Sequence, residues 1–158
     1  MRMLLLTIVI VLLALFSLVF SYGCFRTWKT TRMSEYKEFV LGTLPAAMPI
    51  GLYHGTAEEL GEVSWKGKKF LGEGKGINLF EHDGGVEEKF TFTIDRARSI
   101  RGEHDVLRID YNQPANPLWL RFIVDEMVSA GDDKFLGAVY IIAVPGFPFR
   151  MGYFRLMR

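Results

Sequence analysis

Apolar positions along this chain follow three patterns. From Met3 to Tyr22 every residue is uncharged, and Leu, Val, Ile and Phe dominate. Over Glu88–Ile94 and Asp105–Tyr111 apolar and polar residues alternate. Phe90, Phe92 and Ile94 oppose Thr91, Thr93 and Asp95 in the first run, and Leu107, Ile109 and Tyr111 oppose Val106, Arg108 and Asp110 in the second. A period of two is that of a strand with one buried face. From Phe135 to Val144 and from Phe149 to Met157 apolar residues occupy both faces. That pattern predicts strands covered on both sides, or with one face against lipid or a partner protein.

Each pattern predicts an element. A helix over the first run rises about 30 Å, enough to cross a bilayer. Cleaved secretory signals have apolar regions of only about 7–15 residues, so a retained transmembrane anchor is expected within residues 1–25. Ser34–Leu41 predicts a short helix, with Ser34 as cap and Gly42 as stop. It reads as a stalk on the membrane surface, and residues 26–48 read as a juxtamembrane helix and linker. From residue 49 to 158 the chain reads as one β domain. Gly51–Thr56 is a first strand, Val63–Phe70 a strand or packed loop, and 77–80 a strand. Val124–Ala130 and Phe135–Val144 form a hairpin around Gly131-Asp-Asp, and Phe149–Met157 closes the series. The glycine run 71–76 and His82-Asp-Gly-Gly read as turns. Asn112 and Pro114 end the 105–111 strand, because proline has no N–H for the ladder. Asn116-Pro117 then reads as the cap and first position of a short helix starting at Leu118. A strand ending at a polar corner beneath a helical turn suggests the closed end of a small barrel. Seven or eight short strands with little helix predict a mainly β fold, a barrel or sandwich.

Charge narrows the function. Residues 1–32 contain Arg2, Arg26, Lys29 and Arg32 and no acid, and the remainder has 15 basic against 18 acidic residues. Such a remainder is no nucleic-acid surface. Three cations after the span against Arg2 and the amino terminus before it leave the membrane side open. A single cysteine, Cys24, rules out an internal disulfide framework and a multi-cysteine zinc site. Ser21-Tyr-Gly-Cys24 partly resembles a lipoprotein cleavage site, and the alternative is an interfacial cysteine without a role. His54, His82 and His104 show no metal-ligand spacing, and no cofactor is expected. Gly74-Lys-Gly76 lacks the Ser or Thr and the following helix of a phosphate loop. Asp110, Asp125 and Glu126 flank the polar corner, near Tyr111, Asn112 and Arg121, but carboxylates divide acid and base roles only when they meet in a cleft. No serine lies in a Gly-x-Ser-x-Gly turn. The expectation is a protein that is not an enzyme.

One resemblance adds to this reading. Gly51-Leu-Tyr-His-Gly55 is similar to the Gly-x-Trp-x-Gly first strand of calycin-like barrels, which include lipocalins, fatty-acid-binding proteins and small GXWXG proteins. Trp65-Lys-Gly-Lys-Lys-Phe70 resembles the Trp-x-Gly-Lys-x-Phe segment of the GXWXG proteins, and Asp133–Gly137 and Gly152-Tyr-Phe154 resemble their C-terminal half. Tyr53 stands where that family has tryptophan. The resemblance implies a small antiparallel calycin-like barrel with an apolar interior over roughly residues 50–157.

Two functions fit. One is a membrane-anchored barrel holding an apolar ligand, such as a lipid or pigment, with Arg108, Asp110 and Tyr111 as polar contacts and Phe90, Phe92 and Trp119 as apolar ones. If Arg108 and Asp110 point inward they hold a polar head; outward, they form a solvated face. The other is a non-catalytic accessory subunit that docks its helix and two-sided apolar strands on a larger membrane protein complex.

Overall fold

A computed structural model describes residues 2–57 and 63–158. Two helices, α1 (Arg2–Thr30) and α2 (Ser34–Leu41), precede eight strands. These are β1 (Gly51–Thr56), β2 (Trp65–Gly72), β3 (Lys75–His82), β4 (Gly85–Arg98), β5 (Asp105–Asp110), β6 (Ile123–Ser129), β7 (Lys134–Ile141) and β8 (Phe149–Met157). Every strand pairs antiparallel with the next, and β8 pairs back onto β1 through Gly55 and Leu156 to close the barrel. Closure at eight strands leaves an interior that side chains nearly fill.

Local chemistry sets the turns. Glu73-Gly74 and Asp83-Gly84 each connect two strands with both central residues at positive φ, the two-residue hairpin geometry that matches strand twist. Both lie where glycine clusters mark turns. The inner faces bring Tyr53, Phe70, Phe92, Ile94, Leu107, Ile109, Tyr111, Met127, Phe135, Phe154 and Leu156 into one buried cluster, with Phe90 packed against its edge. The alternating runs at 88–94 and 105–111 thus place their apolar sides inward. In β1, Gly55 leaves room for the Trp65 indole, which would lie 2.3 Å from a Cβ at that position.

A second cluster lies outside the barrel. Val106, Val128, Leu136, Ala138, Tyr140 and Tyr153 point outward and are buried beneath Phe39 of α2. Phe39 is fully buried, and its ring meets His104 edge-on at 5.3 Å. The last third of α1 covers β8 through a stripe at helical spacing. Phe20 packs edge-on against Phe147 and Phe149, each at 5.3 Å. Gly23 lies against the Phe149 ring, and Thr27 Oγ1 accepts the Arg150 amide at 2.9 Å. Arg150 Nε donates to Thr30 Oγ1 at 3.1 Å. The two-sided apolar character of β7 and β8 therefore has an internal cause: the chain's own N-terminal helices cover their outer faces.

Several local expectations are corrected. Met33, not Ser34, is the N-cap of α2, and the Ser34 hydroxyl donates to the Glu35 carboxylate instead. Gly42 ends α2 in an extended conformation, not a left-handed one, and its role is close approach: a Cβ there would lie 2.4 Å from Val128. The stalk expected over 34–41 is part of the barrel wall, held by Phe39 and by Glu38, whose carboxylate receives both Arg155 guanidinium nitrogens at 2.8 and 2.7 Å. After Asn116-Pro117 the chain makes only a 3-10 turn, Leu120–Phe122, before β6 begins. Residues 43–50 close one end of the barrel: Ser129 N donates to Thr43 O at 2.8 Å, Leu44 and Met48 join the inner cluster, and Arg96 donates to the Pro45 and Ala46 carbonyls.

Removing the Phe39 ring would uncover the outer cluster. Phe39→Ala should destabilise the domain by about 3–5 kcal/mol, read as a lower urea midpoint for the detergent-solubilised full chain. An unchanged midpoint would show that α2 contributes nothing to the barrel wall.

Candidate functional site

The barrel interior is not filled at the end remote from residues 43–50. A cavity of about 360 Å³ opens there, between the end of β1, the start of β2 and the β5–β6 connection. Its walls are apolar, formed by Trp65, Phe80, Phe90, Leu120, Ile123, Val139 and Phe154. The polar corner and helical turn at 111–122, expected at a closed end, stand at this mouth. The 43–50 segment lies across the other end, where Leu44 and Met48 pack against the inner cluster.

Four polar side chains from four parts of the barrel meet at the floor. Lys68 of β2 is 2% exposed, and its ammonium donates to Asp125 Oδ2 of β6 at 2.9 Å and to Asn78 Oδ1 of β3 at 2.9 Å. Its third proton goes to the Tyr111 hydroxyl, just beyond β5. Tyr111 in turn donates to Asp125 Oδ2 at 2.9 Å, and the Trp65 indole N–H donates to Asn78 Oδ1 at 3.1 Å. The Asn78 amide donates to the Phe90 carbonyl at 3.2 Å. Rings of Trp65, Phe92, Tyr111 and Phe154 surround Lys68 Nζ, with centroids 5.1–5.5 Å away. Cation–π attraction adds to the ion pair in such a desolvated position.

Two bulges create this arrangement. Register shifts between Trp65 and Gly67, where Gly67 has φ +139° and a Cβ would lie 2.0 Å from the Tyr53 carbonyl oxygen. The extra residue flips the parity of β2, so Trp65, Lys68 and Phe70 share the inner face while Lys66 and Lys69 reach outside to Glu81 and Glu88. In β4 register shifts opposite Ile77/Asn78, and Phe90 takes φ +64°, sparsely populated for an aromatic residue. That bulge frees the Phe90 carbonyl for Asn78. Strained backbone of this kind costs about 1–3 kcal/mol and concentrates at functional sites.

Burial pushes the Lys68 ammonium below the ordinary lysine value, and the Asp125 carboxylate beside it works the other way. Burial and the same carboxylate raise the Tyr111 phenol well above its usual value, so it remains a neutral hydroxyl. Ammonium and carboxylate cancel, and the floor is polar but neutral. All three Lys68 protons are engaged. Among the described residues no hydrogen bond reaches Asp125 Oδ1, and Asp125 belongs to the cavity lining. The floor therefore presents an acceptor.

The residues expected at a ligand site separate. Tyr111, Phe90 and Trp119 line the cavity, and Trp119 stands at the mouth with its ring 5.9 Å from that of Phe90. Phe92 lies in the core beneath the floor, 5.7 Å from the Tyr111 ring. Arg108 and Asp110 are on the outer wall: Arg108 donates to the Arg98 carbonyl and faces Glu126 at 3.6 Å, and Asp110 accepts the Asn112 amide at 2.7 Å. Of the carboxylates near the polar corner, only Asp125 points inward. Glu126 is buried outside, where it accepts from Ser99 Oγ at 2.7 Å and Ile100 N at 2.6 Å. Lys68 and Asn78 escaped sequence reading. The signal was Gly67, whose bulge makes parity counted from Trp65 misleading and parity counted back from Phe70 correct.

No protein-family model, curated protein or solved structure matches the chain. The closed eight-stranded antiparallel barrel is consistent with a calycin-like fold, and its N-terminal helix is long and apolar enough to cross a membrane.

Breaking the buried pair should be costly from either side. Lys68→Met and Asp125→Leu each leave one uncompensated charge and should destabilise by about 3–5 kcal/mol, whereas the double variant should recover most of the loss. Urea unfolding of the three variants gives the cycle, and additive losses would show that the two charges do not interact.

Proposed function

We propose that this protein is a membrane-tethered binding module whose barrel holds one apolar molecule by a neutral, hydrogen-bond-donating head group such as a hydroxyl. The observation that carries this reading is the buried Lys68–Asp125–Tyr111–Asn78 floor beneath an otherwise apolar cavity. An ion pair of this kind is weak support for stability, since apolar replacements are often neutral or better. Its position at the end of a cavity gives it another use. Ligand sites are characteristically apolar with a few polar groups that fix orientation. A free carboxylate would meet Asp125 and an ammonium with no proton left to give, while an alcohol would donate to Asp125 Oδ1. At about 30 Å³ per water-sized unit the cavity takes on the order of a dozen non-hydrogen atoms, so a longer molecule would reach out through the mouth.

Retention of α1 as the tether is supported by the packing of Phe20 and Gly23 on β8 and the loop before it, contacts that cleavage before Cys24 would abandon. Binding is favoured over catalysis because the inward polar groups hold one another, and among the described residues no second carboxylate lines the cavity. The accessory-subunit reading drew on the two-sided apolar strands, whose outer faces the chain's own helices already occupy.

Organic extraction of the purified full-length protein, followed by mass spectrometry, tests the proposal. The expected result is one apolar alcohol at about one molecule per barrel, lost in the Lys68→Met/Asp125→Leu double variant, which keeps the fold. A bare extract from the unaltered protein would overturn it.

A further inference from the structure

The mouth of the cavity carries an apolar rim that the fold leaves largely open to solvent. Leu118, Trp119, Phe122, Ile142 and Phe147 are all exposed, Leu118 at 70% and Trp119 at 61%. They come from two connections. Leu118, Trp119 and Phe122 belong to the turn before β6, and Ile142 and Phe147 to the β7–β8 loop. The Ile142 amide donates to the Phe122 carbonyl at 2.8 Å, which joins the two into one surface. The β7–β8 loop, Ile142-Ala-Val-Pro-Gly-Phe-Pro148, contains no charge. A contiguous exposed apolar patch of this kind marks a contact surface.

The course of α1 identifies what the rim contacts. Following the helix backwards, Thr30 meets Arg150, Gly23 meets Phe149 and Phe20 meets Phe147. The helix thus leaves the barrel at the β7–β8 loop, on the mouth side. From Val19 back to Arg2 every residue is exposed, and none from Tyr22 back to Met3 is charged. A bilayer that takes up this segment has its interface near Phe20–Tyr22, level with Phe147. The first cations, Arg26 and Lys29, follow Tyr22 by about 6 and 10 Å along the axis, at head-group depth.

We propose that the rim formed by Leu118, Trp119, Phe122, Ile142 and Phe147 rests in the head-group and acyl boundary of the bilayer that α1 crosses, with the cavity mouth facing the lipid. Taken with the binding role proposed above, on which only this consequence rests, the ligand passes between barrel and bilayer without crossing bulk water. Trp119, half over the cavity and half in the rim, stands at the passage. An amphiphile can then enter with its hydroxyl towards Asp125 and its tail still in lipid.

The test uses full-length protein in a Cys24→Ser background, with a single cysteine introduced by Leu118→Cys, Ile142→Cys, Phe147→Cys or, at the opposite end, Asp132→Cys. Each is labelled with a polarity-sensitive fluorophore and reconstituted into vesicles of phosphatidylcholine and phosphatidylglycerol containing spin-labelled phosphatidylcholine. Labels at 118, 142 and 147 should be blue-shifted and quenched at least about twofold more than the label at 132, because rim residues held about 5–10 Å into the boundary lie within reach of the nitroxide. Equal quenching at all four positions would overturn the proposal, as would rim labels that stay unquenched by lipid yet cross-link to a protein in native membranes. The two readings separate cleanly. A seated rim with a bare solvent extract removes the ligand alone, and a loaded cavity with an unquenched rim removes the membrane contact alone.

Discussion

A buried ammonium group must find an acceptor for each of its protons, and this demand organises the barrel interior. Lys68 meets it with one residue from β3, one from the end of β5 and one from β6. Four of the eight strands are therefore tied at a single point, and their registers are no longer independent. A slip of one residue in any of them would turn its contribution to the outside, leaving a charge unpaired if the strand is β2 or β6 and a proton of the ammonium without its acceptor if it is β3 or β5. The two bulges are the means by which the sequence satisfies this demand. One turns Lys68 inward, and the other releases the carbonyl that fixes Asn78.

The same demand explains the form of the cavity. Side chains large enough to fill an eight-stranded barrel do so below the floor, where Phe70, Phe92, Met127 and Phe135 pack together. Above it the polar groups would be stranded if apolar rings closed over them with no partner for Asp125 Oδ1. Solvent or a ligand head group relieves that cost, so the polar layer and the space over it belong together. On the outer wall Glu126 shows the alternative solution. Burial raises its carboxyl above the ordinary value, and the Ser99 hydroxyl, the Ile100 amide and Arg108 offset part of that effect. No space is needed there because the protein supplies the partners itself.

Periodicity made much of the fold legible. The alternation at 88–94 and 105–111, the glycine turns at 71–76 and 82–85 and the last strand at 149–157 are local patterns, and strands and turns are local objects. The site was legible only in part. Phe90, Tyr111 and Trp119 sit on the face or turn that their spacing predicted, but Lys68 follows a bulge, and one extra residue inverts a period of two. The packing of α2 and of residues 43–50 on the barrel was hidden for another reason. Phe39, Glu38 and Leu44 find their partners among strands far along the chain, and no short window contains both sides of such a contact. Arg108 and Asp110 share a face in sequence and in structure, and only closure of the barrel shows that the face is the outer one.

The junction of α1 with β8 has a mechanical meaning. Thr27 and Thr30 hold Arg150 by hydrogen bonds, Gly23 lets the helix sit directly on Phe149, and Glu38 grips Arg155 one short helix later. These contacts fix the last third of α1 to the barrel, so the two turn as one lever. A transmembrane helix answers a thinner bilayer by tilting. On the membrane-tethered reading proposed above, that tilt is passed to the barrel, and the thickness of the surrounding lipid becomes a quantity that sets the barrel's attitude to the membrane plane.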